Sequence, residues 1–424
     1  MNILCLTFYF EPDLCAGSFR NTPLVEELAR QLSPADQIHV VTTQPNRYAS
    51  YKQTAPEHET RGPVTVDRVA VPEHAGGLTD QMRSFAAYYR AAYRLTRNRQ
   101  YDLVVASSSR LFTAFLGARL ARRLNVPLFL DIRDLFRETI LEVLTNPIVR
   151  LGLNPLLWAV ERYTFGYARH INLVSEGFQT YFEPFRRATY SYFTNGIDDE
   201  FLPVASPERP VRPAQNAVKT VLYAGNIGEG QGLHKIIPAA ARQLGNGYRF
   251  VIIGDGGART KLAEAIGWEG VPNVELRPPV NRRALVDEYR RADYLFVHLN
   301  DLDAFRRVLP SKLFEYGATD KPIVAGVGGY AARFVTEHLD NHILFAPGDV
   351  ADLVTQLRRT PYRTQPRPAF VHQFARRTIM QQMARQILQA AGPRMAGPFA
   401  EFGPDSAITQ PPSAHPNRQS TATP

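Results

Sequence analysis

Two hydrophobic periods alternate along this chain. Short apolar runs at residues 2–8, 38–42, 103–106, 128–131 and 170–174 predict strands. Longer stretches whose apolar positions recur every three or four residues, at 19–32, 79–99, 110–124 and 154–168, predict helices. Strands apolar on both faces and separated by helices belong to a parallel sheet covered on both sides.

Between residues 193 and 217 the pattern breaks into Asn-Gly, Asp-Asp and several prolines. A second series of the same kind follows. Its predicted strands are 220–224, 250–253, 274–276, 294–297 and 323–325, and its predicted helices are 233–244, 259–266, 283–291, 312–318 and 350–358. The expected organisation is a first domain over 1–195, a linker over 196–217, a second domain over 218–368 and a C-terminal helix over 369–391. Residues 392–424 are rich in Pro, Gly, Ser and Thr without periodicity and predict a disordered tail.

Composition narrows this picture. With 424 residues, 44% hydrophobic and 21% charged, each half can bury a core of its own. Cys5 and Cys15 are the only cysteines, and Cys5 sits inside the first strand run, so no disulfide framework is expected and a reducing compartment fits. The N-terminus has neither the basic start nor the cleavage site of a signal peptide, and no apolar stretch reaches the roughly 18 to 20 residues of a membrane-spanning helix. A cytoplasmic protein, soluble or peripheral at the inner face of the cell membrane, is expected. The formal net charge of +9 is spread over both halves beside no nucleic-acid motif, so nucleic acid is not an expected partner. An anionic membrane surface is, because 85–94 and 140–168 interleave aromatic and aliphatic residues with arginines, as in helices lying on lipid. Packed helices with snorkelling arginines give the same pattern.

Three stretches carry candidate chemistry. The strand 250–253 runs into Gly254-Asp255-Gly256-Gly257 and then a helix, a geometry that lets backbone approach a phosphate at a helix N-terminus. Many such turns use glycine only for tight geometry, and the third glycine and later acid of the dinucleotide fingerprint are missing, which disfavours NAD. A second glycine turn, Gly225-Asn226-Ile227-Gly228-Glu229-Gly230-Gln231-Gly232, joins the first strand of this half to its first helix; neighbouring N–H groups there can converge on an anion. In Pro310-Ser311-Lys312-Leu313-Phe314-Glu315, proline opens a helix whose first turn holds Ser311 and Lys312. The helix dipole disfavours a lysine there unless an anion such as a diphosphate binds, and Glu315 one turn deeper suits the hydroxyls of a ribose. A solvated helix start is the plainer alternative. Asp301-Leu302-Asp303 reads as a polar loop rather than a metal site, and the ten histidines show no ligand spacing.

These segments, with Tyr9-Phe10-Glu11-Pro12, Gly17-Ser18-Phe19-Arg20, Asp131-Ile132-Arg133-Asp134, Thr194-Asn195-Gly196-Ile197-Asp198 and Lys321-Pro322-Ile323-Val324-Ala325, resemble glycosyltransferase family 4. The match is to its branch building bacterial polysaccharides and lipid-linked glycans. The resemblance implies a GT-B fold, two Rossmann-like domains with parallel sheets facing an interdomain cleft. It further implies retaining transfer from a nucleoside diphosphate sugar to a glycan or polyprenyl-linked acceptor, with no cofactor and no obligatory metal. On the donor it places Gly17, Ser18, Gly254, Asp255, Gly256, Lys312 and Glu315, and Gly225, Asn226, Arg307 and Ser311 are candidate donor contacts beside them. Asp134, Arg133 and Lys312 are its candidate catalytic residues. Three departures stand out: Arg307 lies eight positions before Glu315 where many members have a glutamate, Asn226 and Gln231 replace a basic pair, and Arg133 and Asp134 stand where many members have histidine. An epimerase or phosphorylase on the same fold, or a non-catalytic membrane-associated subunit, are the alternative readings.

Overall fold

The computed structural model describes residues 1–13, 15–46, 54–72, 78–108, 111–144, 146–205 and 218–392. The expected tail after residue 392 and the linker segment 206–217 lie outside these residues. The first sheet holds β1 (Asn2–Leu6), β2 (Gln37–Thr43), β3 (His58–Arg61), β4 (Val64–Val69), β5 (Leu103–Ser108), β6 (Leu128–Ile132), β7 (His170–Leu173) and β8 (Thr189–Ser191). Their spatial order is β3-β4-β2-β1-β5-β6-β7-β8. The second holds β9 (Lys219–Ala224), β10 (Tyr248–Ile253), β11 (Val274–Arg277), β12 (Tyr294–His298), β13 (Ile323–Gly326) and β14 (His342–Phe345), in the order β11-β10-β9-β12-β13-β14. All pairs are parallel except β3 with β4.

The expected doubly wound α/β architecture is therefore present in both halves. Its cause is visible in β1, where Ile3, Leu4, Cys5 and Leu6 are all buried because helices cover both faces of the sheet. In each sheet the winding reverses beside the first strand, between β1 and β5 and between β9 and β12. Ligands of open α/β sheets bind outside the carboxyl ends of the strands at such reversals. The turns at Gly225 and Gly254, and the first turn of the helix Ala16–Gln31 that holds Gly17 and Ser18, all follow those ends.

Several elements differ from expectation. The helix predicted from 154 starts earlier and spans Pro147–Phe165; Gly152 and Pro155 disguise its first turns, but Asn146 caps it by accepting from the N–H groups of Ile148 and Val149, and Pro147 suits its first position. The single helix expected over 369–391 is two, Pro368–Gln373 and Arg376–Ala391. Between them Ala375 pairs with Ile197, whose N–H donates to the Phe374 carbonyl at 2.7 Å and whose carbonyl accepts from Arg376 N–H at 2.8 Å. Phe370 packs in the second lobe against Phe314 and Phe334, whereas Met380, Met383 and Ile387 pack in the first, against Leu24, Val25 and Leu28. The chain thus crosses between lobes twice, at neighbouring places.

A fully buried polar cluster anchors the first crossing. Arg20 donates to both oxygens of Asp131 at 2.8 and 2.9 Å and to the carbonyls of Phe193 and Thr194 at 2.8 and 2.5 Å. Asn172 adds a 2.8 Å bond to Asp131. Burial pushes the Asp131 carboxyl up, but the Arg20 charge outweighs it and holds it below its ordinary value.

Candidate active site

The two glycine turns of the second lobe are stitched together. Gly225 N–H donates to Ile253 O at 2.8 Å, Ile227 N–H to Asp255 O at 2.8 Å and Ala258 N–H to Ile227 O at 2.9 Å. Gly254 and Gly256 have φ of 151° and 152°, and a Cβ on Gly254 would overlap the Gly225 carbonyl. These glycines are required by the approach of one loop to the other. Asn226 and Gln231 serve the same loop: Asn226 Nδ2 and Gly228 N–H both donate to Gln231 Oε1, at 3.0 and 3.1 Å. His298, buried at the end of β12, bonds the Gln231 carbonyl through Nδ1 at 2.7 Å and accepts from Gly348 N–H through Nε2 at 2.9 Å. Burial lowers its pKa, consistent with a neutral ring whose Nδ1 carries the proton.

Lys312 comes to this patch from the short helix Lys312–Gly317. Its Nζ lies 5.0 Å from the centre of the Tyr223 ring, and a Cβ on Gly225 would overlap it. Gly225 therefore makes room for an ammonium group at the end of β9. Ser311 precedes the helix and makes no capping bond with its side chain.

One turn on, Glu315 Oε2 accepts from the Tyr289 hydroxyl at 2.7 Å. Burial raises the Glu315 carboxyl above its ordinary value, partly offset by Arg282, Tyr289 and Lys312. Arg282 stacks 4.0 Å from the Phe19 ring centre and 5.0 Å from that of Phe201, and is ion-paired with Asp198. Burial works against its charge, yet Asp198 and Glu315 raise its pKa. Arg282 thus connects the Glu315 region to Phe19, next in sequence to Ser18.

On the first lobe, Arg133 follows β6 and donates through Nη2 to Ala16 O at 2.8 Å. A Cβ on Gly17 would stand 3.2 Å from Arg133 Nη1 and 3.0 Å from Tyr9 Cβ. Arg133 Nε and Nη1 are buried with no hydrogen-bond partner, and burial and the nearby Arg20 lower its pKa. A guanidinium edge left unpaired beside the first turn of the helix Ala16–Gln31 is suited to an anionic ligand. Asp134 is exposed beside it.

Arg307 reaches across to the first lobe. Its Nη1 meets Glu138 Oε2 at 2.5 Å and its carbonyl accepts from Ser175 Oγ at 2.5 Å, so it bridges the lobes. A cavity of about 230 Å³ beside it is lined by Arg306, Arg307, Arg333, Tyr330, Gly177 and Thr180. A second cavity, about 630 Å³, opens at Ser18, Phe19 and Arg282 but includes neither Lys312 nor Glu315. Seven carboxylates line it, Asp198, Asp199 and Glu200 among them, against four arginines, Arg30, Arg282, Arg376 and Arg377; the net negative lining disfavours a diphosphate, so the glycine turns are the better candidate. Asp301 and Asp303 face Arg306 at 3.4 and 3.6 Å.

The structure thus gathers Gly225, Asn226, Gly254, Asp255, Gly256, Lys312 and Glu315 on one lobe and Gly17, Ser18 and Arg133 on the other. The sequence reading missed Arg282, Tyr289 and Glu138. The signal for the first two was there, since residues seven apart share a helix face.

Two family models match. Residues 22–190 match the glycosyl transferase 4-like domain, and residues 218–360 match glycosyl transferases group 1. The chain carries two glycosyltransferase domains in a GT-B fold. A stretch of 95 residues is 37% identical to the putative colanic acid biosynthesis glycosyl transferase WcaI of Escherichia coli K12. That stretch covers 22% of this chain and 23% of the length of the curated relative. Among solved structures, sucrose-phosphate synthase from Thermosynechococcus elongatus superposes with a TM-score of 0.70 at 16% identity, over 92% of this chain and 98% of that one. HepE of Anabaena, solved with UDP-glucose, gives 0.62 at 17%, over 92% and 100%. Both likenesses concern the GT-B fold, and in that fold the glycine turns and Lys312 belong to the group 1 domain, while Gly17, Ser18 and Arg133 face from the other lobe.

Proposed function

We propose that this chain is a family 4 enzyme that transfers a sugar, with retention and without a metal, from a nucleoside diphosphate sugar to a glycan or lipid-linked acceptor. The observation that carries this reading is the placing of Lys312 beside the paired glycine turns, with Glu315 one turn further along the same helix. Glu315, with Oε2 held by Tyr289, accepts the ribose hydroxyls. Lys312 and turn N–H groups meet the diphosphate, and Arg133 approaches it from beside Gly17. These positive groups stabilise the charge that develops as the bond from the sugar's anomeric carbon to the diphosphate breaks. The acceptor oxygen forms the new bond to that carbon, and its proton passes to the departing phosphate or to Asp134.

The colanic acid relative supports a role in polysaccharide biosynthesis, and the UDP-glucose bound by HepE supports a uridine nucleotide. The three-arginine cavity between the lobes suits the phosphate of a lipid-linked acceptor.

A thermal-stabilisation screen of UDP, GDP, ADP and their sugars tests the reading. A nucleotide at 100 times its dissociation constant stabilises by about 2.7 kcal/mol. No stabilisation by any of them, together with no transfer or hydrolysis of the sugars, overturns it.

A further inference from the structure

The helix Pro147–Phe165 is divided along its length. Its second half is anchored by buried Leu157, Glu161, Thr164 and Phe165, one face of a helix packed on the first lobe. Its first half is not packed. From Pro147 to Leu156 every residue is exposed except the half-buried Leu153. Ile148 and Leu151 are each 80% exposed and Leu156 61%. Gly152, Pro155 and two β-branched residues make this half a poor helix in water on propensity alone.

Charge says what covers it. The exposed charged residues of this helix are Arg150 and Arg162; its one acid, Glu161, is buried against Arg137 at 2.7 Å and the Tyr181 hydroxyl. Behind the apolar end comes a belt of rings and guanidinium groups: Arg162 over Trp158 at 5.3 Å, and Arg122 over Tyr163 and Tyr167 at 4.4 and 4.5 Å. An aliphatic tip followed by aromatic and cationic residues matches the order of hydrocarbon, headgroup and phosphate in a bilayer. A second copy of the same face would bring these arginines against each other.

We propose that the first half of the helix Pro147–Phe165 inserts into an anionic lipid surface, with Ile148, Leu151 and Leu156 among the acyl chains and Arg150, Arg162 and Arg122 at the phosphates. No helix among the described residues is long and apolar enough to cross a membrane, so this is attachment to one leaflet. The proposal goes beyond the transfer reading and is tested without a sugar donor, so either can fail alone.

The experiment is co-sedimentation of the full chain with vesicles of phosphatidylcholine alone or mixed equally with phosphatidylglycerol. In a Trp268→Phe background Trp158 is the only tryptophan, since the chain has two. The expected result is binding to the mixed vesicles, weakened by salt, with a blue shift of Trp158 emission. Ile148→Glu with Leu151→Glu should lower partitioning at least about tenfold while leaving the melting temperature unchanged, because both side chains are solvent-exposed. Arg150→Glu with Arg162→Glu should remove the preference for anionic lipid. Absent vesicle binding, or binding unchanged in the Ile148/Leu151 variant, overturns the proposal. So does self-association of the wild type that this variant abolishes, which would make the face a contact between copies.

Discussion

Arg307 and Glu138 form an ion pair, 2.5 Å apart, that joins the two lobes: Glu138 stands on the helix Phe136–Val143 of the first and Arg307 in the turn Asp303–Arg307 of the second. Both are about a quarter to a third exposed, so solvent screens the pair and its coupling should be about 0.5 to 1 kcal/mol. Arg307→Ala and Glu138→Ala should each lower kcat/KM about two- to fivefold. The double variant should be no worse than either single one, and Arg307→Glu with Glu138→Arg should recover most of the loss. Additive losses in a double-mutant cycle would show that the two residues act separately.

Glu315 sets a pH dependence. Its folded-state pKa is raised by burial, so the ligand-free protein is more stable with Glu315 protonated and loses that stability as pH rises through the raised value. Donor binding runs the other way, because the ribose needs the carboxylate. Donor affinity should therefore fall on acidification, starting at a pH above that of an ordinary glutamate. Titration calorimetry across pH measures this, and Glu315→Gln should bind weakly with that part of the profile flattened. A wild-type profile in Glu315→Gln would remove the residue from the ribose.

Lys312→Ala should lower kcat about 10²- to 10³-fold, the effect of losing one preorganised charge stabiliser. The melting temperature of the ligand-free protein should hardly change, since the ammonium group sits at a strand end beside Gly225 and Tyr223 rather than in the core. Single-turnover rates with donor in excess separate this from weaker binding. Wild-type turnover would exclude the role.

Neighbouring glycines should respond unequally. Gly254→Ala forces a Cβ at φ 151° into the Gly225 carbonyl and should destabilise by about 3 kcal/mol. Gly257→Ala has open space around it and should change stability by less than about 0.5 kcal/mol. Urea unfolding of the pair measures the contrast.

Both parallel sheets were legible because their buried strands read as apolar runs, as in Val251-Ile252-Ile253. The hairpin of β3 and β4 was missed because polar residues dominate His58-Glu59-Thr60-Arg61 at the sheet edge. Lys312 and Glu315 announced themselves through one local motif. Glu138 did not, since its partner lies 169 residues away and ion pairing between lobes leaves no local pattern. Asn226 reads from sequence as a candidate donor contact, but nothing local shows that its side chain also braces its own loop through Gln231. A single sequence shows which residue types are present but not whether a side chain is already engaged.

The return of the helix Arg376–Ala391 to the first lobe has a practical consequence for dissecting the molecule. The first lobe is not a contiguous stretch of chain. A fragment ending near Asn195 would leave Leu24, Val25 and Leu28 facing water where Met380, Met383 and Ile387 belong. Clean separation instead calls for a rearranged gene, in which the last helix is fused ahead of Met1 and the second lobe is expressed from Gly196 to Phe374, which keeps Ile197, Phe201 and Phe374 in its core.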